Sequence, residues 1–134
     1  MTVLFDSSAW LAHLFGEPGV EEVNRIFDDL NNDVLISALS IPEIYGRLKS
    51  LGIESKWDEV WATYSPLFSK VLPVNEKVAH QAVTLRDVAT KRLPTIDSLI
   101  AATAAVHGLT LVHRDPHFAA IPATHLQQLR LQEK

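Results

Sequence analysis

The chain has 134 residues, 47% of them hydrophobic and 21% charged, which suits one globular domain, residues 1–134, with a sizeable core. No apolar run reaches the roughly 18 residues of a membrane span, and the absence of cysteine excludes disulfides, thiolate metal sites and thiol nucleophiles. A net charge of −4 excludes a basic nucleic-acid coat protein, yet it leaves a metal-dependent nuclease open, because four carboxylates given to a cation would leave the remainder close to neutral.

The opening MTVLFDSS lacks the basic region and long apolar segment of a signal peptide, so a cytoplasmic location is expected. Residues 2–5 form a short β-favouring run that delivers Asp6 at its end. Ser7 or Ser8 is placed to cap the next helix, which carries Trp10, Leu11, Leu14 and Phe15 at helical spacing and stops at Gly16. Residues 20–30 read as an amphipathic helix with Val23, Ile26, Phe27 and Leu30 on one face. A second strand covers 34–37. Ser40 is placed to cap the following helix, with Pro42 tolerated in its first turn, Glu43 beside it, and Ile44, Tyr45, Leu48 and Leu51 as its apolar stripe. Residues 54–68 read as a helix bearing Trp57, Trp61, Tyr64 and Phe68, a stripe suited to the core or to a partner surface. A third strand, 70–74, contains Pro73, which fits a strand end or an edge. Asn75 caps a long helix reaching about Thr90.

Residues 93–118, LPTIDSLIAATAAVHGLTLVHRDPHF, hold the densest signal. Thr95 is placed to cap a helix with Asp97 in its first turn, where free N–H groups favour a carboxylate. The helix body, 99–106, is almost entirely small or apolar, Gly108 ends it, and 109–112 reads as a strand buried on both faces. Asp115 follows that strand. Residues 126–131 suggest a last edge strand. Alternating strands and helices imply parallel strands joined by right-handed crossovers, hence a three-layer α/β/α domain around a mainly parallel sheet of four to five short strands.

Most acids fall on polar helix faces and are solvated. Four are placed differently: Asp6 and Asp115 follow apolar strands, while Glu43 and Asp97 open helices. In a parallel sheet all four positions lie at the same edge. Converging carboxylates without cysteine form a hard, all-oxygen site suited to Mg²⁺ or Mn²⁺, and such sites serve phosphoryl transfer.

These residues carry a family resemblance. DSSAW with Asp6, IPEIYGRL with Glu43, and TIDSLIAATAAVHGLTLVHRDPHF with Asp97 and Asp115 resemble the motifs of PIN-domain ribonucleases, and the length and motif order are similar to the toxin of VapBC-type toxin–antitoxin pairs. The resemblance implies a PIN-like domain in which Asp6, Glu43, Asp97 and Asp115 bind Mg²⁺ or Mn²⁺ and direct water onto an RNA phosphodiester, leaving 5′-phosphate and 3′-hydroxyl ends. The aromatic stripe and the metal site together lead to the expectation of a homodimer, and the resemblance implies restraint by a VapB-like antitoxin whose C-terminal segment would lie over the helices bearing Glu43 and the aromatic stripe. Ser7 matches a small polar residue that the family often keeps beside its first acid. One position departs: the family usually has threonine, serine or asparagine two residues before the last acid, where this chain has His113. A histidine beside carboxylates is expected to protonate more readily and then to oppose a metal below about pH 6.5.

Other readings are weaker. His113 and His117 have the spacing of a helical zinc pair, but Pro116 interrupts a helix there. No serine sits in a G-x-S-x-G setting. Lys91, Arg92 and Arg114 flank the acids and are placed to hold phosphates, and Arg47 is placed to pair with Glu43 one helical turn away. A non-catalytic module, either PIN-like or a Mg²⁺-binding phospho-receiver, is the competing class. A receiver needs an acid pair after the first strand and an aspartate after the third, and the chain offers Asp6 alone and Asn75–Glu76 instead.

Overall fold

The computed structural model describes residues 1–132. A five-stranded sheet forms the middle layer: β1 (Thr2–Phe5), β2 (Asp33–Ser37), β3 (Lys70–Leu72), β4 (Thr110–His113) and β5 (Gln128–Arg130), in the order β3-β2-β1-β4-β5. Every neighbouring pair is parallel. Strand β1 is the central strand, pairing Leu4 with Leu35 on one side and with Leu111 on the other.

Alternation along the strands builds the two outer layers. Val3, Phe5, Val34, Ile36 and Val112 face α1 (Ser7–Phe15), α2 (Val20–Asp28), α3 (Ser40–Ser50) and α4 (Trp57–Tyr64) in one apolar cluster. Leu4, Leu35, Leu72 and Leu111 face α5 (Glu76–Val88) and α6 (Thr95–Val106) in the other. Side chains of period two on a sheet covered on both sides are mostly apolar, which is why the three inner strands β1, β2 and β4 read as hydrophobic runs, while the edge strands β3 and β5 do not. The expected three-layer α/β/α domain with a parallel sheet is what the chain adopts.

Several local expectations change. Asp6, rather than Ser7 or Ser8, caps α1, its carboxylate accepting from the Ala9 N–H. Helix α2 ends at Asp28, so Leu30 lies outside it and is 96% exposed. The 54–68 segment is α4 flanked by 3₁₀ turns at Glu54–Lys56 and Ser65–Leu67, because Pro66 lacks the N–H that would continue the α-helix. Neither Ser40 nor Thr95 caps by its side chain; α6 starts after Pro94, whose extended backbone holds the chain out of the helix. Strand β3 stops at Leu72, before Pro73, and lies at the sheet edge. Asn75 does cap α5, accepting from the Val78 N–H.

The aromatic stripe belongs largely to the core. Trp10, fully buried, packs against Trp61, Tyr64 and Phe68, while Trp57 stacks on Trp61 and meets the half-exposed Tyr45 edge-on.

The α1–α2 turn is built on two glycines with positive φ. Gly16 (φ 63°) faces open space, whereas a Cβ on Gly19 (φ 97°) would meet Leu131 Cβ at 3.0 Å. Gly16→Ala is therefore expected to cost about 1 kcal/mol from backbone conformation alone. Gly19→Ala adds a steric clash against the buried Leu131 and should cost about 2 kcal/mol or more. Urea unfolding of the two variants measures the difference, with Gly19→Ala the less stable.

Candidate active site

The strand order places the site. Connections from β1 run to β2 on one side, and β4 returns on the other, so the crevice between β1 and β4 is where the winding reverses. Asp6 follows β1 and Asp115 follows β4 at that crevice. Backbone bonds tie the two ends together, Asp6 N–H donating to the Val112 carbonyl. Ser8 strengthens the join: its hydroxyl donates to the Asp6 carboxylate and accepts from the Arg114 N–H at 2.8 Å.

Glu43 arrives in the first turn of α3 and accepts a hydrogen bond from the Ser7 hydroxyl, which links α3 to the start of α1. Asp97 arrives in the first turn of α6. The four acids predicted from sequence are thus brought together, and their charges sense one another. Burial pushes the Asp6 carboxyl up to about 7, opposed by the bonds from Ser8 and Ala9 and reinforced by the negative charges of Asp115 and Glu43. Burial, then Asp115, also raises Asp97. Desolvation dominates both shifts, since it penalises a charge whatever its neighbours.

A fifth group joins them. His117 Nδ1 lies 3.0 Å from Asp97 Oδ2 and 3.1 Å from Asp115 Oδ1, and one donor atom from each of the three residues falls within 4.8 Å of the others. Helical spacing could not find His117, because no helix of the α type carries it. The available signal was the Asp115-Pro116 pair: an aspartate before proline folds back on its own backbone, and here Asp115 Oδ1 accepts the His117 N–H at 2.9 Å.

His113 behaves differently from its expectation. Its Nδ1 accepts the Asp115 N–H, so Nε2 carries the proton and donates to Gln128, whose amide in turn donates to the Phe118 carbonyl. The ring is 1% exposed, and burial lowers its pKa. It supports Asp115 through the backbone as a neutral ring and protonates less readily, not more, because desolvation outweighs the nearby charge.

Two arginines also depart from expectation. Arg47 pairs with Glu17 rather than Glu43, at 3.9 Å. Arg114 is fixed by Glu17 at 2.8 Å and by the Pro18 carbonyl at 3.0 Å, so its guanidinium is committed there and pairs with none of the four acids. Lys91 and Arg92 remain exposed on the loop between α5 and α6.

A donor set of carboxylates and one imidazole suits a small divalent cation. It also meets a need of this site, since a cation beside Asp6 would offset the desolvation and repulsion that otherwise hold its proton on.

Comparison with known proteins agrees with the geometry. No curated protein matches the chain. Among solved structures it is similar to VapBC2 of Rickettsia felis, bound to a DNA fragment from its promoter, with a TM-score of 0.78 at 15% identity over 98% of this chain and 100% of that one. It is similar to FitAcB of Neisseria gonorrhoeae, with a TM-score of 0.75 at 28% identity over 97% of each chain. It is also similar to VapC20 of Mycobacterium tuberculosis, described as a sarcin-ricin loop cleaving toxin, with a TM-score of 0.71 at 16% identity over 96% of this chain and 98% of that one. A PIN domain model matches residues 3–123, nearly the whole chain, and the protein therefore belongs to the PIN domain family.

Proposed function

We propose that this chain is a divalent-metal-dependent endoribonuclease acting as the toxin of a toxin–antitoxin pair. The observation that carries the reading is the convergence of Asp6, Glu43, Asp97 and Asp115 at one crevice, with Asp6 in a position where burial opposes its charge. Family membership and the likeness to VapBC proteins support it.

Asp6, Glu43, Asp97 and Asp115, joined by His117, would hold Mg²⁺ or Mn²⁺, which when bound supplies a Lewis acid and lowers the pKa of water. The chain's own residues set the geometry. Ser8 and the Ala9 N–H fix the Asp6 carboxylate, and Ser7 holds Glu43 across from it. The Asp115-Pro116 turn holds His117 against Asp97 and Asp115. In the hydrolysis, water oxygen bonds to phosphorus, the P–O3′ bond breaks and the released O3′ takes a proton. The carboxylates orient that water opposite O3′ and accept its proton.

The phospho-receiver alternative has the wrong topology. Receivers follow the order 2-1-3-4-5, whereas here β3 pairs with β2 and β1 with β4. A PIN-like module kept for binding alone is separated from the enzyme by assay. We also propose a VapB-like antitoxin as partner, supported by the toxin–antitoxin complexes among the structural relatives, and a homodimer, for which the half-exposed Tyr45, Leu51 and Leu67 around the aromatic helix offer a surface. No described helix is long and apolar enough to cross a membrane.

Cleavage of total RNA is expected with Mg²⁺ or Mn²⁺ and lost in EDTA. Asp6→Asn, Glu43→Gln, Asp97→Asn and Asp115→Asn should each lower it by at least 10–100-fold, the range already seen for groups one shell further out. Near-normal cleavage by any two variants would remove the assignment.

The raised Asp6 pKa gives a pH test in the metal-free protein. Between the ordinary aspartate value near 4 and about 7, the folded chain keeps a proton that the unfolded chain has released. Stability contributed through this group therefore falls as pH rises across that window, by on the order of 4 kcal/mol at most. Asp6→Asn keeps an acceptor for the helix cap and should be the more stable protein in EDTA at pH 8, with the gap closing near pH 4. Thermal melts at both pH values, with and without Mn²⁺, measure it, and added Mn²⁺ should stabilise only the wild type.

Light scattering at micromolar concentration checks the assembly. A dimer is expected, and a strict monomer would remove that half of the partner assignment.

A further inference from the structure

Beside the acids lies a cleft of about 310 Å³ between the α5–α6 loop and the 3₁₀ turn Pro116–Ala120. Its walls are joined: the Thr90 N–H donates to the Ala120 carbonyl at 2.9 Å, and Leu93, 2% exposed, anchors the loop from beneath in the apolar layer shared with α5 and α6. One wall carries Lys91 and Arg92. The other offers Pro116 and Ala119, and the floor between them is closed by the buried Ala120. His117 belongs to both places, lining the cleft while its ring touches Asp97 and Asp115.

We propose that this cleft is a nucleotide subsite, holding the residue of an unpaired RNA strand next to the phosphate that is cut. The inference rests on the ribonuclease reading above and adds which part of the substrate the chain grips, and with what. The chemistry matches in three respects. Lys91 and Arg92 make no ion pair with a described acid, so both can neutralise backbone phosphates. Arg114, the other cation flanking the acids, is held by Glu17 and is not available for this. Proline and alanine present a flat apolar wall against which a ribose or base can pack. A volume of this size admits one nucleotide, and a base can enter it only when unstacked and unpaired, which is how RNA is read in loops and single strands. Because His117 is shared, a phosphate seated at Asp97 and Asp115 leads its neighbouring nucleotide directly into the cleft. For a chain of net charge −4, such local concentration of positive charge is the means of holding a polyanion close to carboxylates.

The test is the salt dependence of binding to a short fluorescent oligoribonucleotide, in the Asp97→Asn background so that the RNA survives. Each lost phosphate contact should reduce the slope of log K against log salt by about 0.7, so Lys91→Ala/Arg92→Ala together should reduce it by about 1.4 and weaken binding at low salt. Lys91→Arg/Arg92→Lys, which keeps both charges, should retain the slope. Lys70→Ala/Lys77→Ala removes the same charge from residues that do not line the cleft and should also retain it. With Asp97 intact, Mn²⁺ affinity of the Lys91→Ala/Arg92→Ala protein should equal that of the wild type. An unchanged slope in that protein, or an equal loss in the Lys70/Lys77 control, would overturn the subsite while leaving the nuclease standing on its cleavage of total RNA. Absence of both RNA binding and Mn²⁺-dependent cleavage in the wild type would overturn the two together.

Discussion

Four like charges held within reach of one another at the end of a parallel sheet are the constraint on which the rest of this structure turns. Each acid is made tolerable locally before any cation is considered. Asp6 and Asp115 cap the segments that follow them, taking the N–H groups of Ala9 and His117. Glu43 and Asp97 sit in first turns, where the helix dipole favours negative charge. Parallel strands start α1 and α3 at the same edge, and α6, which runs down into the beginning of β4, starts there too, so the topology that gathers the carboxylates also supplies the donors that hold them. What these local devices do not offset is the desolvation of Asp6, and that remainder gives the site its demand for positive charge.

Rigidity at the crevice comes from Ser8. Its hydroxyl donates to Asp6 and accepts from the backbone of Arg114, so one oxygen spans the ends of β1 and β4. His113 does the equivalent from beneath, joining Asp115 to Gln128 on the edge strand β5. The last acid is thus positioned by the whole width of that half of the sheet. A hydroxyl at position 113 could serve the Asp115 N–H but would not reach across to β5, which is a physical reason for a large neutral ring there.

The sheet, the order of its elements and the four acids were legible in the sequence because they follow from periodicity. Apolar runs of about four residues bounded by turn signals are too short for helices and fit strands buried on both faces, and an acid at the end of such a run lies at the sheet edge. The structure differs where a choice between neighbours is settled by tertiary contact. Asp6, Ser7 and Ser8 are all good caps; Asp6 wins because Ser7 is taken by Glu43 and Ser8 by the β4 end. Arg47 is one turn from Glu43, yet Glu17 on a different element claims it. Leu30 continues the apolar face of α2 on paper, but the helix stops two residues earlier. His113 departs in sign because its charged neighbours can be read from the chain and its burial cannot.

Glu17 shows how an acidic pocket keeps its own arginines out. Arg114 adjoins Asp115 in sequence, and Arg47 lies one turn from Glu43, so both guanidiniums could fold onto the cluster, where a bidentate pair with a carboxylate is among the stronger polar contacts available. Either would then occupy the place of a cation. Glu17, at the end of the α1 segment, takes Arg114 at 2.8 Å and lies 3.9 Å from Arg47, with the Pro18 carbonyl completing the hold on Arg114. The turn through Gly16 and Gly19 that presents Glu17 and Pro18 is therefore part of the site's electrostatics, although neither glycine touches it. Positive charge is bound to Glu17 on one side of the crevice and left exposed on the other, at Lys91 and Arg92, while none of the four carboxylates between them is paired with an arginine or lysine among the described residues.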